Sequence, residues 1–350
     1  MKLTKSDWIT IAKGASLLST GGGGDLLEAR TTYAEVFKIN KVVELKKLEE
    51  LNQTDIVCTA YIAGSIGSFE TTTKPLEKAF ALLEKLLDKS IAGILPVEIG
   101  PGDIAETVKI ASVYKIPVID ADFVGKRCSP EVFLETITLK NLSRAPLVIT
   151  NLKGETKVIK KNLSAEKIEK IVRVFAKNSD SACFVVGYPL TVKEVRGVVG
   201  SRTLSLAYSL GKLLQKKNKK TLSAILKLTS GRVLFSGKIS IVKSNDDKGF
   251  LTGTIKIAGT EKFISEKAEI FLKNESLIFW RNELVELSCP DLICVLNSKS
   301  LLGIYNRDLQ KGEKVIVLGI PALPIWKTNK GLKLFSPKSF GYDIKPVLIK

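Results

Sequence analysis

The run Asp55-Ile56-Val57-Cys58-Thr59-Ala60-Tyr61-Ile62, followed by the loop Ala63-Gly64-Ser65-Ile66-Gly67-Ser68 and a helical pattern opening at Pro75, decides the fold class. A short apolar strand, a Gly/Ser loop and apolar residues at helical spacing make up a β-loop-α unit. The pattern then repeats. Ile91–Val97 is a second apolar strand whose loop carries Glu98-Ile99-Gly100-Pro101-Gly102-Asp103, with a helix expected over Ile104–Tyr114. Ile116–Ile119 is a third strand, ending in Asp120-Ala121-Asp122. Strands joined by single helices predict a parallel sheet. In an open sheet of this kind the loops after the strands share the carboxyl-end edge, where ligands bind. The Gly64–Ser68, Glu98–Asp103 and Asp120–Glu131 loops therefore converge on one edge.

Upstream, Thr4 and Asp7 read as a capping box, and Trp8, Ile11, Ala12, Ala15 and Leu18 recur at helical spacing. That helix runs into Gly21-Gly22-Gly23-Gly24, and Asp25 opens a second helix to about Phe37. Downstream, Pro146–Asn151 and Thr156–Lys160 read as a hairpin. A helix over Ala165–Lys177, a strand over Ala182–Val186 and a helix over Thr203–Leu214 follow. Beyond Thr221, short alternating runs between Gly, Asn and Asp turns suggest a barrel or sandwich. The 350 residues exceed the roughly 100–200 of one domain. They divide into an α/β domain over 1–165 and a mainly β domain with leading helices over 166–350, packed closely because no flexible linker intervenes.

Composition narrows the chemistry. The chain has no histidine, which removes Ser-His-Asp and Cys-His catalysis and imidazole metal sites. Acid–base work falls to Asp, Glu, Lys, Cys or Tyr, and any metal to oxygen or thiolate ligands. The five cysteines are scattered, and Cys289 and Cys294 are too far apart for a Cys-x-x-Cys zinc knuckle. A net charge of +18 raises nucleic acid as a partner. The lysines are interleaved with glutamate, and only Lys216, Lys217, Lys219 and Lys220 cluster, so solvated surface is expected instead. No apolar run reaches the roughly 18 residues that span a bilayer, and the N-terminus lacks a signal-peptide stretch, so a cytoplasmic location without membrane contact is expected.

Four glycines before a helix exceed what a helix cap needs. Gly21, Gly22, Gly23 and Gly24, with Asp25, are read as a ligand contact in which backbone and helix N-terminus approach a small molecule. No Gly-Lys-Ser/Thr follows, so the loop is not a phosphate-binding P-loop. Glu98, Asp103, Asp120, Asp122 and Glu131 form an acidic set that can act as general base or hold a divalent metal. Helix capping is the competing reading for Asp103, Asp120 and Asp122. Arg127 can clamp a carboxylate, and Cys128 can serve as nucleophile or thiolate ligand. Gly64, Ser65, Gly67 and Gly100 offer backbone and hydroxyl donors, and Asp291, after Pro290, is a candidate from the second half.

Taken together, these segments resemble the S-methyl thiohydantoin desulfurase-like proteins, a family associated with hydantoinases and oxoprolinases. The resemblance rests on Thr20–Asp25, Glu98-Ile99-Gly100, and Asp120, Asp122, Gly125, Pro130 and Glu131. It continues through Gly237-Lys238-Ile239, Gly249-Phe250, Asn274-Glu275, Pro290–Ile293 and Phe340–Asp343. The chain departs from the family pattern at Pro101-Gly102-Asp103 and at Lys126–Ser129, both on the predicted ligand edge. The resemblance implies a three-layer α/β/α N-terminal domain, a β-barrel-like C-terminal domain and a site between them. It also implies hydrolysis at a C–N or C–S bond of a hydantoin-type ring, with Asp120, Asp122 or Glu98, or a metal they hold, activating water. The alternative is a non-catalytic ligand-binding subunit partnering a hydantoinase- or oxoprolinase-like enzyme; a homo-oligomer is the other expected assembly.

Overall fold

The computed structural model describes residues 1–64, 74–131, 134–179, 182–216, 218–247 and 249–349. Ser65 and Gly67 lie outside the described residues. The first sheet is built from β1 (Lys2–Leu3), β2 (Val43–Lys46), β3 (Ile56–Gly64), β4 (Ile91–Leu95) and β5 (Val118–Ile119). A two-residue strand β6 (Ala121–Asp122) follows, then β7 (Leu147–Thr150), β8 (Thr156–Ile159), β9 (Ala182–Thr191) and the short β10 (Gly200–Ser201). The sheet order is β1-β2-β5-β4-β3-β9-β7-β8. Its centre, β2-β5-β4-β3, is parallel, as the repeated strand–helix pattern requires. The flanks are antiparallel, so the expectation of a parallel sheet is corrected to a mixed one. The cause is the hairpin β7–β8: a tight turn reverses the chain, and β9 then enters between β7 and β3 against the direction of β3.

Period-two alternation gives β3 two working faces. Cys58 and Ala60 join a cluster with helices α1 (Lys5–Leu18), α2 (Leu26–Ile39), α3 (Lys74–Leu87) and α4 (Pro101–Tyr114). Val57 and Tyr61 face a second cluster, which includes Ile168, Val172 and Ala176. These come from α6 (Ala165–Lys177), which follows the single turn α5 (Thr136–Leu139). The sequence's capping box is present: Thr4 Oγ1 accepts from Asp7 N at 3.4 Å and Thr4 N donates to Asp7 at 3.0 Å. After the turn α7 (Val192–Val195), α8 (Thr203–Lys216) lies against α1. Gln215 Nε2 donates to Thr10 Oγ1 at 2.7 Å and Tyr208 to Asp7 at 2.6 Å. Residues 165–216 thus complete the first sheet and its helical cover, although the expected boundary assigns residues from 166 onward to the second domain.

Thr221 onward contains a helix that the sequence reading passes over, α9 (Thr221–Thr229). The second sheet then forms from β11 (Arg232–Asp247), β12 (Phe250–Gly259), β13 (Lys267–Lys273), β14 (Glu275–Arg281), β15 (Leu284–Ser288), β16 (Leu292–Asn297) and β17 (Lys314–Ile320). Its order is β15-β14-β13-β12-β11-β17-β16, antiparallel throughout. It curls into a half-barrel around Phe235, Phe263 and Phe279, with ring centroids 4.8 Å and 6.3 Å from Phe235. No ladder joins β15 to β16 among the described residues, so the barrel-like expectation stops at a half-barrel. Its other face carries Phe271, Leu277, Leu292 and Leu318 into the cluster that also holds Trp8 and Ile104. One core therefore runs through both halves, and each fully buried side chain of this size contributes about 1.5–3 kcal/mol.

Candidate functional site

The tetraglycine lies between the two halves. On one side Gly102 N donates to Gly23 O at 2.9 Å. On the other, Ser276 N donates to Thr20 O at 2.8 Å and Asn306 N to Gly21 O at 2.9 Å. Two positions explain the glycines. A Cβ on Gly22 would fall 1.8 Å from Glu275 Oε1. Gly23 has φ +67°, and a Cβ there would lie 2.5 Å from both Cys128 Sγ and Gly100 Cα. The backbone is thus pressed against the side chains that matter most, which only glycine permits.

Gly22–Gly24 form part of the wall of a cavity of about 640 Å³, within the size range of small-molecule sites. The other walls come from Glu98 and Glu131 on the loops after β4 and β6, from Asp103 in the first turn of α4, from Asp25 and Glu28 at the start of α2, and from Asn274, Glu275 and Tyr305 of the second half. The lining holds ten acids, from Asp25 to Glu275, against the arginines Arg173 and Arg307. A chain of net charge +18 has therefore gathered acids around one space.

The densest part is Glu98, Asp103 and Cys128, whose ligand atoms lie within 4.8 Å of one another. Burial, and next the charge of Asp103, holds the Glu98 carboxyl well above the ordinary carboxylate range. Burial pushes Asp103 up to about 6, with the Glu98 carboxyl pulling the other way. Burial, then Glu98 and Asp103, raises the Cys128 thiol. Glu275, 2% exposed, is pushed up to about 8 by burial, with Arg127 offsetting part of that. Burial and the charge of Asp25 raise Glu28 to about 7. Asp103 Oδ2, Glu106 Oε2 and Glu275 Oε2 are shielded from solvent and have no hydrogen-bond partner among the described residues. Glu98 is fixed by Ser129 N, which donates to Oε2 at 2.8 Å.

The other predicted residues have different places. Asp120 and Asp122 are expected to activate water, but both lie outside the cavity wall. Asp120 accepts from Ser205 N at 2.9 Å and from the Ser205 hydroxyl, capping the start of α8. Asp122 accepts from Val124 N at 2.9 Å, Lys126 N at 3.0 Å and Gly125 N, folding the turn that presents Cys128. Asp291, expected as the cavity's second wall, instead binds Ala322 N at 2.7 Å, Ile349 N at 2.6 Å and Lys327 at 3.2 Å, fastening the C-terminal segment.

Arg127 does not clamp a carboxylate from the wall. It is fully buried and donates to Cys128 O at 2.9 Å, to Pro290 O and to Asp291 O at 3.3 Å, beneath the Phe335 ring at 4.5 Å. Glu131 does line the cavity and pairs with Lys273. Asp25 caps α2, accepting from Glu28 N at 2.7 Å, and lines the cavity as well. Gly64 ends β3, two residues beyond the expected strand. Gly100 is the N-cap of α4, which starts at Pro101, three residues earlier than the periodicity predicts.

Sequence reasoning passed over Glu28, Glu106 and Glu275 as site residues. Two of them had a signal: Asp25/Glu28 and Asp103/Glu106 are three residues apart on helices and so share a face. Glu275 opens a strand whose first five residues are all buried, an unusual place for an acid.

Comparison with known proteins agrees with this architecture. No curated protein matches the chain. A crystal structure of a protein from Chromobacterium violaceum superimposes with a TM-score of 0.85, covering 100% of both chains at 20% identity, which shows a common fold. The S-Me-THD-like N-terminal domain matches residues 6–161 and the S-Me-THD-like C-terminal domain matches residues 163–349. With both domains matched in order along nearly its whole length, the chain belongs to the S-Me-THD-like family.

Proposed function

We propose that the protein is a hydrolase-like enzyme that opens, or removes a sulfur substituent from, a small cyclic amide ring of hydantoin type, S-methyl thiohydantoin included. The observation that carries this reading is the Glu98–Asp103–Cys128 centre, in which two partly buried carboxyl groups at the wall of a cavity of about 640 Å³ meet a buried thiol. Its two carboxyl groups have their proton affinities pushed apart, which is how paired carboxylates divide acid and base roles. Asp103, at about 6, is ionised at neutral pH and takes a proton from water. Glu98, held well above the usual range, keeps its proton and delivers it to the leaving ring nitrogen or sulfur. The water oxygen bonds to the electrophilic ring carbon, and the C–N or C–S bond breaks. The amides of Gly23 and Gly24 stabilise the charge that develops on the ring oxygen, since the Gly22 amide donates to Ser19 O at 3.1 Å. Family membership is consistent with a hydantoin-related role.

The test is turnover of hydantoin and S-methyl thiohydantoin, followed as ring opening and as thiol release, by the native chain and Asp103→Asn. Turnover by the native chain that falls at least about 100-fold in the variant supports the reading. Rings that bind and are never turned over, with or without divalent metal, would identify a ligand-binding subunit instead.

A further inference from the structure

We propose that Glu98, Asp103 and Cys128 bind one thiophilic divalent cation of the zinc class, leaving one coordination position open to the cavity. Three potential ligand atoms, a carboxylate oxygen from each acid and the Cys128 Sγ, already lie within 4.8 Å of one another. Donors around a common tetrahedral zinc are about 3.3–3.8 Å apart, so the site closes with sub-rotamer movements. Asp103 Oδ2 is shielded from solvent and has no hydrogen-bond partner among the described residues. Ser129 N donates to Glu98 Oε2 and orients that carboxylate, as outer-shell donors do in metal sites.

A second, independent observation comes from the other half of the chain. Glu275 is 2% exposed, its Oε2 has no hydrogen-bond partner among the described residues, and its charge acts on both Glu98 and Cys128. A buried carboxylate facing other acids without a donor is costly, and a bound cation relieves that cost. Arg127 offsets part of the charge on Glu275, but its guanidinium also serves the carbonyls of Cys128, Pro290 and Asp291. Cys128 selects the ion: a thiolate with two carboxylates favours zinc-class metals over magnesium or calcium, which take oxygen ligands. Glu98 and Asp103 line the cavity while Cys128 lies fully buried behind it, so the free position faces the cavity. Binding of the ion is independent of the enzyme reading: with the ion bound, Glu98 and Asp103 serve as its ligands, and the acid and base roles given to them above are those of the metal-free centre.

The experiment titrates the full chain, stripped with a chelator, with Zn²⁺ and separately with Co²⁺. Expected are one ion per chain and a thiolate-to-cobalt charge-transfer band. Cys128→Ser removes the band and weakens Zn²⁺ binding by more than about 100-fold, since even outer-shell losses cost 10–100-fold. Cys58→Ala, a thiol outside the cavity wall, changes neither. The Cys128→Ser chain must melt like the native chain in chelator, and Asp103→Asn, read in the same titration, provides a second ligand loss. Sub-stoichiometric Zn²⁺, or a cobalt band that survives Cys128→Ser, overturns the inference. Ring turnover by a chain that takes up no zinc in the titration overturns it while leaving the enzyme reading intact. One zinc bound with no ring turned over does the reverse.

Discussion

Asp120 and Asp122 follow β5, and Glu98 and Asp103 follow β4, the neighbouring strand of the same parallel set. All four sit at strand ends, where open α/β sheets place their ligands. Asp120 and Asp122 are 2% and 0% exposed, yet between them they accept from four backbone amides and a hydroxyl. Among the described residues Glu98 accepts from one backbone amide, and Asp103 keeps one oxygen with no donor. The deeper pair is thus satisfied by the fold and the shallower pair is left for something else. Position at a strand end does not separate a carboxylate held by the fold from one left short of donors; the supply of N–H donors does.

Breaking one side of this contrast should alter chemistry, and breaking the other should alter stability. The largest effect is expected at Glu98→Gln, with turnover down about 10²–10⁴-fold and no loss of melting temperature, checked by kinetics beside thermal denaturation. Next, Asp122→Ala strands three buried amides and should cost about 1–3 kcal/mol in denaturant unfolding. Activity per folded molecule should survive that change.

A third test uses pH. Glu275 has its folded-state pKa raised to about 8 from 4.5. A raised acid favours the folded state when protonated, so its stabilising contribution is complete below pH 4.5 and lost as pH rises through about 8. Metal-free protein should therefore melt at a lower temperature at pH 8.5 than at pH 5, and Glu275→Gln should flatten that slope. A steeper slope in the variant would contradict the assignment. Glu28, raised to about 7, adds a smaller contribution of the same sign. The smallest effect belongs to the half-exposed Lys273–Glu131 pair at the rim, where Lys273→Ala should change stability by no more than about 1 kcal/mol.

The sequence carried the parallel centre of the first sheet, because apolar runs and helical spacing alternate there without ambiguity. It did not carry the antiparallel flanks: β9 is an apolar run, and nothing local states which neighbour it will pair with or in which direction. Helix α9 was hidden for a similar reason, since the run of leucines and threonines from Thr221 lacks the turn residues that would separate it from the strands that follow. Within the site, the grouping of Gly21–Gly24 with the Glu98–Asp103 loop and Cys128 was legible from strand-end geometry. The division of labour among the acids was not, because it depends on tertiary donors such as Ser205, 85 positions from Asp120. Glu275 entered from the far half by the same route. The two segments that the sequence reading sets apart from the family pattern, Pro101–Asp103 and Lys126–Ser129, each supply one group of the centre, Asp103 and Cys128.

The most direct test measures ring turnover of Asp103→Asn and Asp122→Asn side by side, each normalised to its folded fraction. The prediction is a loss of at least about 100-fold for Asp103→Asn and nearly native turnover for Asp122→Asn. Equal losses, or the reverse order, would contradict the assignment of the chemistry to the donor-poor carboxylates.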